Sequence, residues 1–93
     1  MHYFYILKSE KDGQYYYGST NDLKRRYTQH KKGKVKATSY RLPLNLVYYE
    51  AYISIELARQ RERQVKTSGS IRKSIERRIK SRPGSSVDRA EDF

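Results

Sequence analysis

Two aromatic runs on either side of a tight-turn signal constrain this chain more than any other feature. Tyr3, Phe4, Tyr5, Ile6, Leu7 and Lys8 precede Lys11-Asp12-Gly13, and Tyr15, Tyr16, Tyr17, Gly18 and Ser19 follow it. Aromatic residues fit a pleated surface, and Asp-Gly is a strong hairpin cue, so the start of the chain is expected to form a β-hairpin. Side chains alternate along a strand. Tyr3, Tyr5 and Leu7 therefore share one face of the first strand, and on the second strand Tyr16 and Gly18 face oppositely to Tyr15 and Tyr17.

Beyond the hairpin the period changes. Thr20, Asn21 and Asp22 offer N-cap oxygens ahead of Leu23, and Gly33 offers a stop, which predicts a helix over 22–32. Leu23, Arg26, Tyr27 and His30 then fall on one stripe, while Arg25 points away from it. Residues 33–43 read as a basic connecting loop and 44–51 as a third strand. Ser54 caps a second helix running to about residue 67, with Ala58 and Val65 inward and Glu62 on the same stripe. Gly69-Ser70 breaks this helix and caps a third, carrying Ile71, Ile75 and Ile79 and ended by Arg82-Pro83-Gly84. The expected fold class is α+β, a three-stranded, mostly antiparallel sheet flanked by about three helices. It forms one domain over residues 1–80, followed by a polar tail over 81–93 expected to be disordered.

Charge narrows the partners. The 93 residues hold 21 Lys and Arg against 10 Asp and Glu, a net charge of +11. Such an excess calls for a polyanion, with nucleic acid ahead of an anionic membrane surface. The absence of cysteine excludes disulfides and thiolate metal sites and fits a reducing compartment. No apolar run reaches the length of a membrane span, and Met1-His2-Tyr3 does not begin a secretory signal. A cytoplasmic protein with no membrane partner is expected.

Periodicity also puts three polar residues, Arg26, His30 and Glu62, on otherwise buried stripes, where desolvation is costly unless partners or a function require it. In chain order the features are Tyr3-Phe4-Tyr5, Tyr16-Tyr17-Gly18, then Asn21-Asp22-Leu23-Lys24-Arg25-Arg26-Tyr27 through His30, then Arg61-Glu62. This pattern resembles the GIY-YIG nuclease family, in particular the short, single-domain bacterial type related to the N-terminal nuclease module of the excision-repair incision protein. The closing tyrosine of the family's first motif matches Tyr5 and the opening tyrosine of its second matches Tyr16. Its glycine matches Gly18, its helix arginine Arg26, the His or Tyr one turn later His30, and its metal-binding glutamate Glu62. Tyr3 and Phe4 replace the first motif's glycine and isoleucine, and Tyr17 replaces the second motif's isoleucine, all at positions that set strand packing.

The resemblance implies a metal-dependent endonuclease acting on nucleic acid, DNA ahead of RNA, with Tyr5, Tyr16, Arg26, His30 and Glu62 as the catalytic set. Glu62 would hold one Mg²⁺ or Mn²⁺ through a single carboxylate. Arg26 presents a planar donor fork to phosphate oxygens. Tyr16 is assigned the proton of the attacking water, Tyr5 its orientation, and His30 a relay based on an imidazole that titrates near neutrality. Arg25, Lys31, Lys32, Lys34, Lys36 and Arg41 would follow the phosphate backbone. Gly18 would let the backbone pass close to a helix or the substrate. Each residue also has a structural alternative: tyrosines as strand formers, His30 as a satisfied packing residue, Glu62 paired with Arg59, Arg63 or Lys66, and the lysines as a solvated surface. A non-catalytic nucleic-acid-binding module on the same fold is the alternative function, and a protein-interaction module is a third. If the nuclease reading holds, the five catalytic side chains converge on one shallow pocket.

Overall fold

The expected hairpin is present. In the computed structural model, which describes residues 1–81, strand β1 (His2–Ser9) pairs antiparallel with β2 (Tyr15–Thr20), with Tyr5 opposite Gly18 and Tyr3 opposite Thr20. The connection is longer than a two-residue turn. Ser9 anchors it, taking the Gly13 N–H on its carbonyl and the Lys11 and Asp12 N–H groups on its hydroxyl, and Gly13 supplies the positive φ of 70°. The third strand, β3 (Leu44–Tyr52), pairs antiparallel with β1, so the order is β2-β1-β3 and β2 is an edge.

A bulge in β3 sorts its side chains. Ile6 pairs with Tyr48 but Leu7 with Leu46, leaving Val47 as the extra residue. Leu44 and Leu46 therefore join Tyr5 and Leu7 on one face, while Val47 and Tyr48 join Phe4 and Ile6 on the other. Helix α1 (Leu23–Lys31) covers the first face with Leu23 and Tyr27. Helices α2 (Ile55–Thr67) and α3 (Gly69–Ser81) cover the second with Val65 and Ile75. Fully burying side chains of this size stabilises by roughly 1.5–3 kcal/mol each, which sets the sheet between two apolar slabs.

The helix ends follow the sequence with one correction. Asp22 caps α1 by accepting from the Arg25 N–H, and Ser54 caps α2 by accepting from the Leu57 N–H. The break between α2 and α3 falls at Ser68, whose hydroxyl accepts from the Ile71 N–H, and Gly69 and Ser70 already lie within α3. The serine oxygen captures an orphan amide there, which Gly69 has no side chain to do. Residues 33–43 are more than a loop. They contain a 3-10 turn at Ser39–Arg41 and bury Val35 and Thr38. Among the described residues no helix is long and apolar enough to cross a membrane. The expected disordered tail lies outside the described residues, apart from Ser81, which ends α3.

Candidate active site

Tyr5 sits at the centre of the α1 side of the sheet, and its ring lies directly over Gly18. A Cβ at position 18 would stand 2.5 Å from the Tyr5 Oη, so glycine is required by this ring, and not by a helix or substrate as the sequence suggested. The Tyr5 hydroxyl is 3.0 Å from His30 Nε2, and His30 Nδ1 is 2.8 Å from Thr38 Oγ1. Tyr16 closes the cluster, its ring 6.5 Å from that of Tyr5 and 5.2 Å from the imidazole.

The chemistry of this chain follows from its burial. Desolvation holds His30 well below its ordinary range, at about 4, and the Arg26 charge pushes the same way. The imidazole is thus neutral at physiological pH, which corrects the expectation of a relay titrating near neutrality. Burial likewise raises the Tyr5 phenol to about 12, against the pull of a hydrogen bond from Arg26. One hydrogen arrangement serves every group: Tyr5 donates to Nε2, Nδ1–H donates to Thr38, and the Thr38 hydroxyl is left to point at the Val35 carbonyl. Tyr5 then keeps an oxygen lone pair for Arg26.

Arg26 is half-buried beside the apolar stripe and also donates from Nη1 to Gln29 Oε1 at 3.2 Å. With Ser19, Thr20, Asn21, Asp22, Arg25 and Gln29 it lines a shallow concavity of about 350 Å³ between the end of β2 and α1. Glu62 belongs to α2, on the far side of the sheet, yet it reaches the same rim because β2 is an edge strand. Ser19, a wall of the concavity, donates to Glu62 Oε1 at 2.7 Å, and Lys66 approaches Oε2 at 2.6 Å. The Glu62 charge also acts on the Tyr5 phenol. Of the five expected residues only Arg26 lines the concavity; Tyr5, Tyr16 and His30 cluster on the same α1 side, and Glu62 touches the concavity's wall at Ser19.

The donor set fits a hard divalent ion. Such ions prefer oxygen ligands, and Mg²⁺ keeps most of its waters, so one partly exposed carboxylate beside a hydroxyl is a sufficient protein contribution. No group of three or more His, Asp or Glu among the described residues forms an all-protein cage.

The basic residues divide. Arg25 lines the concavity, and Lys31, Lys32, Lys34 and Lys36 are exposed, with the Lys31 ammonium 4.7 Å over the Tyr27 ring. Arg41 does not belong with them. Its side chain is only 13% exposed and pairs with Asp12 at 2.9 Å, which ties the 3-10 turn to the hairpin and commits its charge to that carboxylate. Sequence reasoning missed Ser19, Gln29 and Thr38. Strand alternation from Tyr15 and Tyr17 places Ser19 on the α2 face, so its position was readable. Thr38 gave no periodic signal.

Comparison with known proteins agrees with this fold. Residues 1–73 match the GIY-YIG catalytic domain. The chain is 45% identical over 67 residues to a UPF0213 protein of Bacillus pumilus, covering 71% of this chain and 67% of that one. It is 46% identical over 61 residues to a UPF0213 protein of Streptococcus pyogenes, covering 64% and 65%. These matches span about two thirds of the relatives' length. The solution NMR structure of a UPF0213 protein of Bacillus halodurans superposes with a TM-score of 0.54 at 38% identity, covering 88% of this chain and 87% of that one. The motif residues, the fold built around them and the match over nearly all of the described chain lead to one assignment: it belongs to the GIY-YIG family, whose members are typically nucleases.

Proposed function

We propose that this protein is a divalent-metal-dependent endonuclease that hydrolyses phosphodiester bonds in nucleic acid. The observation that carries the reading is the Ser19–Glu62 hydrogen bond, which joins an acidic group from one face of the sheet to a concavity containing Arg26 from the other. GIY-YIG nucleases generally use divalent metals; here Glu62 would hold Mg²⁺ or Mn²⁺, which supplies Lewis-acid stabilisation of the phosphoryl oxygens when bound.

Arg26 binds a non-bridging oxygen of the scissile phosphate and offsets the charge that builds there, a contact worth roughly 3–4 kcal/mol of barrier. Tyr16 takes the proton of the attacking water. Tyr5 stays protonated, and its remaining lone pair orients that water. His30 acts by fixing Tyr5, and Thr38 acts by fixing His30. The bond formed is water oxygen to phosphorus, the bond broken is phosphorus to the ester oxygen, and the departing oxygen takes a proton from bulk water. Arg25, Lys31, Lys32, Lys34 and Lys36 would guide the strand by backbone charge, without reading sequence.

The test is incubation of the purified protein with supercoiled DNA, with single strands of DNA and RNA, and with or without Mg²⁺ or Mn²⁺. Strand breaks are expected only with metal, and they should vanish in Glu62→Ala and Arg26→Ala while salt-sensitive binding persists. Binding without breaks under every metal condition would overturn the nuclease reading and leave a nucleic-acid-binding module.

A further inference from the structure

Helix α1 covers only part of its face of the sheet. Leu23 and Tyr27 pack over Leu44 and Leu46, but further along β3 Tyr49 is 46% exposed and Ala51 is exposed. Tyr49 is the cross-strand partner of Tyr5 on β1, as Gly18 is on β2, so it stands on the opposite side of the buried phenol from the concavity. The Tyr3 ring meets it edge to face, with centroids 6.2 Å apart and planes at 64°, which limits its rotation. Tyr3 is in turn paired with Thr20, a wall of the concavity. An aromatic ledge therefore borders the candidate active site, two strand spacings or roughly 10 Å from Gly18.

We propose that Tyr49, braced by Tyr3, is a stacking platform for one unpaired nucleobase adjacent to the scissile phosphate. The inference rests on the nuclease reading for its location, and it adds a substrate class: a single strand, or a duplex locally opened. The occupant is argued from charge. Between Leu23 and Tyr49 the chain contains seven Lys or Arg besides the paired Arg41 and no Asp or Glu, which favours a polyanionic strand over a purely apolar segment. Stacking on an exposed ring requires the base to offer an open π-face. Bases in an intact duplex do not offer one, so the ledge discriminates between strand states.

The test measures binding without divalent metal, so that cleavage does not intrude, using a short single-stranded oligonucleotide and a duplex of the same sequence. Tyr49→Leu should weaken single-strand binding roughly 5- to 150-fold, the range for losing one stacked base, and leave duplex binding unchanged. The slope of log affinity against log salt should also stay the same, since no charge is removed. Tyr49→Trp should bind the single strand at least as tightly as the parent, and it keeps the test readable if the leucine variant loses stability. Unchanged single-strand affinity in Tyr49→Leu, or equal losses for both substrates, would overturn the proposal. Its outcome is separate from that of the nuclease reading, because stacking is read by affinity and the nuclease by metal-dependent strand breaks.

Discussion

Helix α2 presents adjacent residues to two opposite flanks, and the two carboxylates it meets or carries there behave differently. Toward β3, Arg61 grips Glu50 through Nε and Nη2 at 2.9 and 3.2 Å, and the Tyr48 and Tyr52 hydroxyls donate to the same carboxylate. Toward β2, among the described residues, Glu62 receives Ser19 and the flexible ammonium of Lys66. Exposure hardly separates the acids, at 19% for the Glu50 side chain and 22% for Glu62. Their donors do. Glu50 is saturated by a planar fork and two hydroxyls on rigid rings, whereas the cation on Glu62 is itself 49% exposed. A carboxylate with fixed donors holds a helix in place; one with an exchangeable cation can hold an ion.

The largest expected effects exchange the two acids' phenotypes. Glu62→Gln keeps the shape and the Ser19 contact, so stability should change by less than about 1 kcal/mol while metal-dependent cleavage falls roughly 10³-fold or more. Glu50→Gln should do the reverse. Breaking a partly exposed ion pair and leaving Arg61 unmatched costs about 1–3 kcal/mol, less than for a fully buried pair, and turnover below the unfolding transition should stay near the parent's. Denaturant unfolding and plasmid nicking measure the two sides. Equal losses of activity in both variants would erase the distinction between the flanks.

The same contrast explains what the sequence disclosed. The hairpin, the helices and the α+β class followed from local chemistry: Asp12-Gly13, the caps at Asp22 and Ser54, and the isoleucine spacing of α3. Gly18 and Glu62 were legible as motif positions, but the reason for Gly18 needed the Tyr5 ring, which comes from another strand. The bulge at Val47, which decides that Tyr49 faces the cleft side, carries no sequence signature. Arg41 looked like part of a basic cluster because a loop sequence does not reveal a pair 29 residues away. Thr38 was invisible for the same reason. Contacts set by tertiary packing of irregular segments leave no period to read.

Acid should act on the α1 face and on the Glu50 flank in different windows, an effect of about 3 kcal/mol for His30. Its folded value is about 4 against an ordinary 6.5. The group is depressed, so the unfolded chain binds the proton first; stability is fully present above about pH 6.5 and falls as pH drops toward 4, by up to about 1.4 kcal/mol for each pH unit. Glu50 behaves otherwise. Burial pushes its carboxyl up, but Tyr48, Tyr52 and Arg61 outweigh this and hold it below the usual range, so its contribution is lost only at lower pH, as the folded carboxyl takes its proton. Unfolding free energies across pH 7 to 3 should show a first decline that is absent in His30→Gln and a later one that is reduced in Glu50→Gln. A parent profile flat between pH 6.5 and 4.5 would show that the imidazole is not held neutral by burial.

The smallest expected effect tests whether the cation on Glu62 is exchangeable. If Lys66 occupies the place of an ion, Lys66→Gln removes a competitor without touching the carboxylate or Ser19, and Mn²⁺ should bind about twofold more tightly, since an exposed pair of this spacing is worth about 0.3–0.5 kcal/mol. Arg61→Gln, on the other flank, frees Glu50 of its cation and should create no comparable metal affinity, because Tyr48 and Tyr52 still occupy that carboxylate. Titration calorimetry with Mn²⁺ on the nucleic-acid-free protein separates these outcomes. Weaker binding in Lys66→Gln would mean that the lysine orients Glu62 instead of competing for it, and the ion would then need a different first contact.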